Sequence, residues 1–269
     1  MLIDVSVENM NHVPEVLEIP EVDGLFLPGD RLEPEEWRDT AAHVQRAGKK
    51  AYLALPHIFR KETGEYFAAH GRELAEAHFD GFLVRSLDEA GFLSEQGLPG
   101  LRIFDAGMYT WNREAAAVMY SLGADILTLP YEGRERELAE RGYEDSELVV
   151  YGRLPAMISA QCTAKTQGTC RAARGKKEDI FRTPSFRRLR DRKGAFFVED
   201  SRCRFCYSVL YNSVPLWLLD RVPTACGRIR FSFTDEDEGE AGRILRAYVR
   251  GERTPSGSFT RGHFTRGVE

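Results

Sequence analysis

The chain has 269 residues, a formal net charge of −5 at pH 7, 42% hydrophobic and 29% charged residues, and five cysteines. That balance is globular; no apolar run approaches the roughly 20 residues a membrane-spanning helix needs, and the acidic excess argues against broad, nonspecific affinity for nucleic acid. The opening residues MLIDVSVENM carry no basic, apolar and small-residue leader, so a cytoplasmic location with no membrane partner is expected.

Short apolar, β-branched runs recur along the chain: LIDVSV (2–7), GLFLPG (24–29), KAYLALP (50–56), GFLVRS (81–86), LRIFDAG from Leu101, DILTLPYE from Asp125, ELVVYGRLP from Glu147 and RIRFSF from Arg228. Helix-like segments separate them. PEEWRDTAAHVQRAG starts at Pro34 and ends at Gly48, the proline-first, glycine-last asymmetry of helices, and Asp88–Leu93 and Arg113–Leu122 read likewise. Eight strands alternating with helices predict an α/β chain, a (β/α)8 TIM-barrel-like domain over residues 1–254. The runs are nearly continuous rather than alternating, as expected of parallel strands buried on both faces.

The interval 155–226, between the seventh and eighth strands, breaks the rhythm and contains every cysteine. A loop after a strand emerges at the C-terminal face of a barrel, where active sites of this architecture sit, so this insertion is expected to be functional. The segment from Arg171 to Lys193 is crowded with Arg and Lys, either a solvated loop or a place to touch phosphate. Residues 255–269, rich in Gly, Ser and Thr, are expected to form an extended tail.

In reducing surroundings clustered cysteines read as metal ligands or redox groups rather than as a disulfide framework. Cys162 and Cys170 are spaced C-x7-C, and Cys203 and Cys206 form a C-x2-C pair. Four thiolates suit tetrahedral zinc or an iron–sulfur cluster, and spacing does not choose between these or unligated thiols. Cys226, in TACGRIRF, reads as a buried thiol or a reserve ligand.

Polar residues at the strand ends converge on the same mouth: Asp105, Tyr109 and Asn112 after the fifth strand, Tyr131 and Glu132 after the sixth, Arg153 after the seventh. Arg153 is suited to pin a carboxylate or phosphate through its fork, and Asp105 or Glu132 to orient a hydroxyl or act as a base. Asn112, Tyr131, Ser159 and Gln161 complete the expected set as substrate-binding groups, with Pro56 and His57 in the same ring. The bland alternative is that the acids cap helices while Tyr109 and Trp111 close the barrel top. A protease reading finds little: the histidines form no H-E-x-x-H pair, and Ser159 lacks a G-x-S-x-G elbow.

The stretch VVYGRLPAMISAQCTAKTQGTC, followed by CRFCYSVLYNSVPLWLLDRV, resembles peptidase family U32, the collagenase-like proteins. GFLVRSLDEAGFL, FDAGMYTWN, TLPYE and the ending FTRGHFTRGVE extend the resemblance over nearly the whole chain. It looks closest to the C-terminal module of longer members, which implies as partner an N-terminal U32 module of the same or another chain. The family label implies a peptidase. Better-understood relatives look like oxygen-independent hydroxylases of RNA or quinone precursors that bind a [4Fe–4S] cluster through four cysteines. Carried onto this sequence, that pattern selects Cys162, Cys170, Cys203 and Cys206, with a longer middle spacing, and implies RNA or a small planar substrate as partner. A non-catalytic module stapled by zinc is the remaining alternative.

Overall fold

The computed structural model describes residues 1–170, 181–182, 184, 186–255 and 257–266. The first seven expected runs form parallel strands β1 (Leu2–Val7), β2 (Gly24–Pro28), β3 (Lys50–Ala54), β4 (Gly81–Val84), β5 (Leu101–Phe104), β6 (Ile126–Thr128) and β7 (Ser146–Gly152). The eighth, β13 (Arg228–Phe233), pairs in parallel with both β7 and β1 and so closes an eight-stranded TIM barrel. Helix Pro34–Arg46 begins with proline and a Glu33/Glu36 capping box, while Leu87–Glu95 and Arg113–Ser121 occupy the other helix-like segments.

Alternation along the strands divides the core. Val5, Leu25, Leu53, Phe82 and Phe104 join one large apolar cluster, and Phe26, Tyr52, Ala54, Leu83, Ile103 and Ile126 form a separate small one. β13 departs from the expected all-apolar run because RIRFSF truly alternates. Ile229, Phe231 and Phe233 join the large cluster, whereas Arg228 and Arg230 turn the other way and pair with Asp4 (2.5 Å) and Asp105 (2.6 Å). The Arg230 guanidinium also lies 5.2 Å from the centre of the Phe26 ring. Two arginines thus replace the usual branched aliphatics of a barrel interior.

The insertion is itself a sheet. β8 (Pro155–Ser159), β9 (Phe186–Arg190), β10 (Phe196–Arg202) and β11 (Tyr207–Tyr211) form an antiparallel array ordered β8-β11-β10-β9, and β12 (Leu216–Trp217) adds antiparallel to the end of β7. Gly152, at φ +127°, lets the chain leave the barrel: a Cβ there would sit 2.0 Å from the Ser232 carbonyl oxygen. Between β9 and β10 the Asp191 carboxylate accepts the N–H groups of Lys193 and Ala195, both at 2.8 Å, and Gly194 takes φ +88°.

This capping sheet has two distinct faces. Val198, Tyr207, Val209 and Tyr211 make a buried cluster on the face that also carries Asp200 and Arg202. There Arg202 pairs with Asp30 (2.9 Å) and Glu8, Arg31 with Asp200 (2.5 Å), and Tyr207 donates to Asp30 (2.7 Å). Arg204, in the β10–β11 turn, pairs with Glu33 (2.7 Å) and donates to the Tyr66 hydroxyl (2.8 Å). The loops after β1 and β2 are therefore bolted to the cap by charge.

The tail does not simply extend. Thr260 bridges Leu216, residues 262–266 turn, and Phe264 is buried with its carbonyl accepting the Glu135 N–H at 2.9 Å.

Candidate active site at the barrel mouth

A cavity of about 610 Å³ opens between the C-terminal ends of the barrel strands, the cap and the tail. His57 and Arg85 reach it from the loops after β3 and β4, Asp105 and Tyr109 from after β5, and Tyr131 and Glu132 from after β6. Pro155, Ala156 and Ile158 of β8, with Asn212, enclose it from the cap, and Thr260, Gly262 and His263 from the tail. Four expected site residues, Asp105, Tyr109, Tyr131 and Glu132, thus share one wall.

The floor is ionic. Asp105 lies 3.1 Å from Arg85 and 2.6 Å from Arg230, and its carboxylate also accepts the Ala106 N–H at 2.9 Å. Burial alone would raise its pKa, but the two guanidinium groups win and hold it below the usual carboxylate range. Of the two expected uses of Asp105, orienting a group or acting as a base, this setting favours the first: an ionised carboxylate between two arginines orients them. Arg85 donates further to the Leu55 carbonyl, and its own backbone N–H is held by Glu89 at 2.5 Å. Glu89 is fully buried, which drives its pKa up to about 8. Burial with the Asp105 charge raises the Tyr131 phenol, keeping it a protonated donor.

His57 matters more than its place in the sequence suggests. Burial, then Arg85 and Arg202, push its pKa well below 6.5, so the ring is neutral near pH 7. Its Nε2 is buried without a hydrogen-bond partner among the described residues, and its backbone N–H donates to Tyr207 of the cap at 3.2 Å. A neutral imidazole beside Arg85 and Asp105 offers Nε2 as a hydrogen-bonding group, while its lowered proton affinity makes it a weak base.

Other expected residues fall elsewhere. Asn112 caps helix Arg113–Ser121 by accepting the Ala115 N–H at 2.8 Å, so its amide oxygen serves the helix rather than a substrate. Arg153 is consumed by Asp235 (2.5 Å) and by the carbonyls of Asn212 (3.1 Å) and Ser213 (2.6 Å), which anchor the cap rather than a ligand anion. Tyr109 stands at the exposed rim in the left-handed region, φ +54°. Ser159 and Gln161 line a different, smaller pocket; the Ser159 hydroxyl accepts the Gln161 N–H at 3.1 Å, and the Gln161 amide donates to Thr166 at 3.3 Å.

Cys203 and Cys206 each feel the charge of Cys162 and Cys170. Burial pushes the Cys203 thiol up to about 11, reinforced by Cys162, Cys170 and Cys206, while Arg31 opposes. Burial likewise raises Cys206, again with Cys162 and Cys170 acting on it and Lys165 opposing. Cys206 holds its turn in the left-handed region at φ +54°. Among the described residues no group of three or more His, Cys, Asp or Glu side chains is gathered tightly enough to hold a metal as it stands. Cys226 is apart: it is buried beneath β13, donates to the Arg228 carbonyl at 3.1 Å, and no other thiol acts on it. Residues 171–180 of the basic run lie outside the described residues; of the rest, Arg182 pairs with Glu36 (2.8 Å) and Arg187 reaches Thr163 (3.0 Å). No helix among the described residues is long and apolar enough to cross a membrane.

Barrel, capping sheet and mouth cavity together define a capped (β/α)8 fold with a cavity at the C-terminal strand ends. No family model and no curated protein matches the sequence. Among solved structures the fold is that of the U32 peptidase Mk0906, with a TM-score of 0.53 and 13% identity over 88% of this chain and 94% of that one. Looser likenesses, at TM-scores of 0.44 and 0.37, join about half of this chain to CutC from Streptococcus agalactiae (9% identity, 56% of this chain, 87% of that one) and to the carboxyl transferase domain of Rhizobium etli pyruvate carboxylase (11%, 55% and 35%).

Proposed function

We propose that the chain is an enzyme module in which Cys162, Cys170, Cys203 and Cys206 hold a [4Fe–4S] cluster and the mouth cavity takes a planar substrate, an RNA base or a small relative, for oxygen-independent hydroxylation. What supports this reading is that Cys162, Cys170 and Cys206 all lie within electrostatic range of Cys203 although the four span residues 162–206, without being gathered into a metal-holding group among the described residues. The donor set fits: four sulfurs, with Arg31 and Lys165 offsetting part of the burial that keeps Cys203 and Cys206 protonated. Closing on a metal requires the thiols to lose their protons and draw together.

Hydroxylation with oxygen from water replaces C–H by C–OH and releases two electrons and two protons, so an external electron acceptor is required. A cluster held by these four cysteines would supply one-electron relay. The chain's own residues would do the rest: Arg85, aligned by Asp105 with Arg230 behind it, presents positive charge to the cavity, Tyr131 donates a hydrogen bond, and neutral His57 hydrogen-bonds the attacking water, whose protons pass to solvent. A peptidase reading draws on the name of the fold neighbour; the residues support it less, since the hydroxyl of Ser159 lies on the small pocket, away from His57.

The test is anaerobic purification with iron, sulfide and zinc analysis of wild type and Cys203→Ala. Iron and sulfide near about four per chain, lost in the variant, are expected. Stoichiometric zinc without sulfide would replace this reading with a structural staple.

A further inference from the structure

The capping sheet separates two cavities, and the outer one is not explained by chemistry at the barrel mouth. Cross-strand register puts Met157 and Ser159 of β8, Ser208 and Leu210 of β11, Glu199 and Ser201 of β10, and Arg187 and Leu189 of β9 on one face. That is the face opposite Val198, Tyr207, Val209 and Tyr211, which face the barrel side. A cavity of about 280 Å³ lies here between the sheet and the cysteine-bearing loop, whose Gln161, Thr163 and Thr166 form its roof.

Two polar side chains on its floor each hold an atom without a hydrogen-bond partner among the described residues. Glu199 is 1% exposed; its Oε1 accepts from Ser201 at 2.9 Å, but Oε2 has no hydrogen-bond partner among the described residues. Ser208 is 4% exposed, and its hydroxyl is likewise unpartnered there. Buried carboxylates and hydroxyls left so are costly, and such groups in a lined cavity point to an occupant that satisfies them. Glu199 and Ser208 are diagonal neighbours on adjacent strands, which sets them about 7–8 Å apart at the backbone, within reach of one flat ring.

Charge narrows the occupant. The carboxylate of Glu199 disfavours an anion. Arg187, 3.9 Å from Glu199 and too far for a hydrogen bond, already offsets that carboxylate and disfavours a second cation. What remains is a neutral group with adjacent N–H donors for the carboxylate and a carbonyl for the Ser208 hydroxyl. Leu189 and Leu210 offer apolar contact to a ring face, with Met157 at the rim. We infer that this outer pocket binds a guanine-type base, its N1–H and 2-amino group donating to Glu199 and its 6-carbonyl accepting from Ser208.

The site also touches the cysteine loop directly. Arg187 donates to Thr163 at 3.0 Å and Thr169 at 3.4 Å, the residues beside Cys162 and Cys170. Recognition of the base needs only the cap and is independent of any metal and of the chemistry at the mouth.

The experiment is calorimetric titration of the full chain with guanosine, inosine, 1-methylguanosine and adenosine. Guanosine is expected to bind saturably, inosine about tenfold more weakly for want of the 2-amino group, and 1-methylguanosine and adenosine not measurably. Ser208→Ala should weaken guanosine several-fold, and Glu199→Gln should abolish its preference over adenosine. If Glu199→Gln fails to fold, Ser208→Ala and the nucleoside series decide on their own. Absence of saturable guanosine binding, equal binding of adenosine, or affinity indifferent to Ser208→Ala would overturn the assignment.

Discussion

The barrel and its cap are secured in different ways. Outward strand residues such as Val5, Leu25 and Leu53 merge with the helices into one continuous apolar cluster, whereas the cap meets the barrel through apolar contacts of Phe205 with Tyr66 and Phe67 together with ion pairs of Arg31, Arg202 and Arg204 with Glu8, Asp30, Glu33 and Asp200. Apolar burial is non-directional and forgiving of small shifts. Buried ion pairs are neither: desolvation offsets much of their attraction, so they add orientation more than net stability, and breaking one partner strands the others. The part of the molecule that shapes both cavities thus adds to its apolar contacts a set of ion pairs that are sensitive to geometry and pH.

The largest effect that tests this contrast is expected from Arg202→Met. It leaves Glu8, Asp30 and Asp200 facing one another with Arg31 as the remaining cation of this cluster, and should cost about 3–5 kcal/mol in urea unfolding. Hydrogen exchange should show strands β9–β11 losing protection while β1–β5 keep theirs. Equal loss in both regions would mean that cap and barrel unfold as one unit and would dissolve the distinction.

Next in size is a pH effect that belongs to the barrel. Burial lifts Glu89 from 4.5 to about 8, so the folded state holds a proton that the unfolded chain releases. This contribution is fully present below about pH 4.5 and is lost as pH rises through 8, a fall of a few kcal/mol at most, since each tenfold difference in proton affinity between the folded and unfolded chain is worth about 1.4 kcal/mol. Glu89→Gln should flatten the decline in thermal stability between pH 5 and 9; an unchanged slope would exclude Glu89 as its source.

The cap answers with the opposite sign. Burial alone would raise Asp30, but Arg202 and Arg31 with the Tyr207 hydrogen bond lower it from 3.8 to about 2. Its contribution is present above pH 3.8 and is lost as pH falls through 2, roughly 2 kcal/mol. In Asp30→Asn the acid-side loss of cap protection should shrink, at some cost in stability near pH 7. If acid loosened β1–β5 before β9–β11, the assignment of charge to the cap would fail.

The smallest effect sharpens the line between structure and site. Asn112→Ala removes a helix cap and should cost about 1 kcal/mol, with guanosine binding unaltered. A change in binding would return Asn112 to the functional set.

Which features were legible in the sequence follows from their range. The eight strand runs, the helix from Pro34 and the cysteine pairs are local signals, because strand period, proline geometry and C-x2-C spacing act over a few residues. Asp105, Tyr109, Tyr131 and Glu132 line one cavity, as the sequence led one to expect, because barrel topology puts residues after β5 and β6 on one mouth. Asn112 and Arg153 were read as site groups because sequence shows a polar side chain at a strand end but not the N–H or carbonyl that claims it. The hairpin DRKG and the alternation in FFVEDSR and YSVLY carried a signal for the cap strands, overshadowed by the cysteines between them.

By itself the amino-acid sequence determined the barrel, since a repeating strand and helix pattern with both faces apolar can bury its surface by closing on itself. Only the tertiary structure decided that Arg230 meets Asp105 across 125 residues, that His57 is neutral, that the tail walls the mouth, and that Glu199 and Ser208 share a pocket. Those outcomes depend on burial and on pairings between distant segments, and a charge or hydroxyl acquires its chemistry only once the fold has removed the water around it.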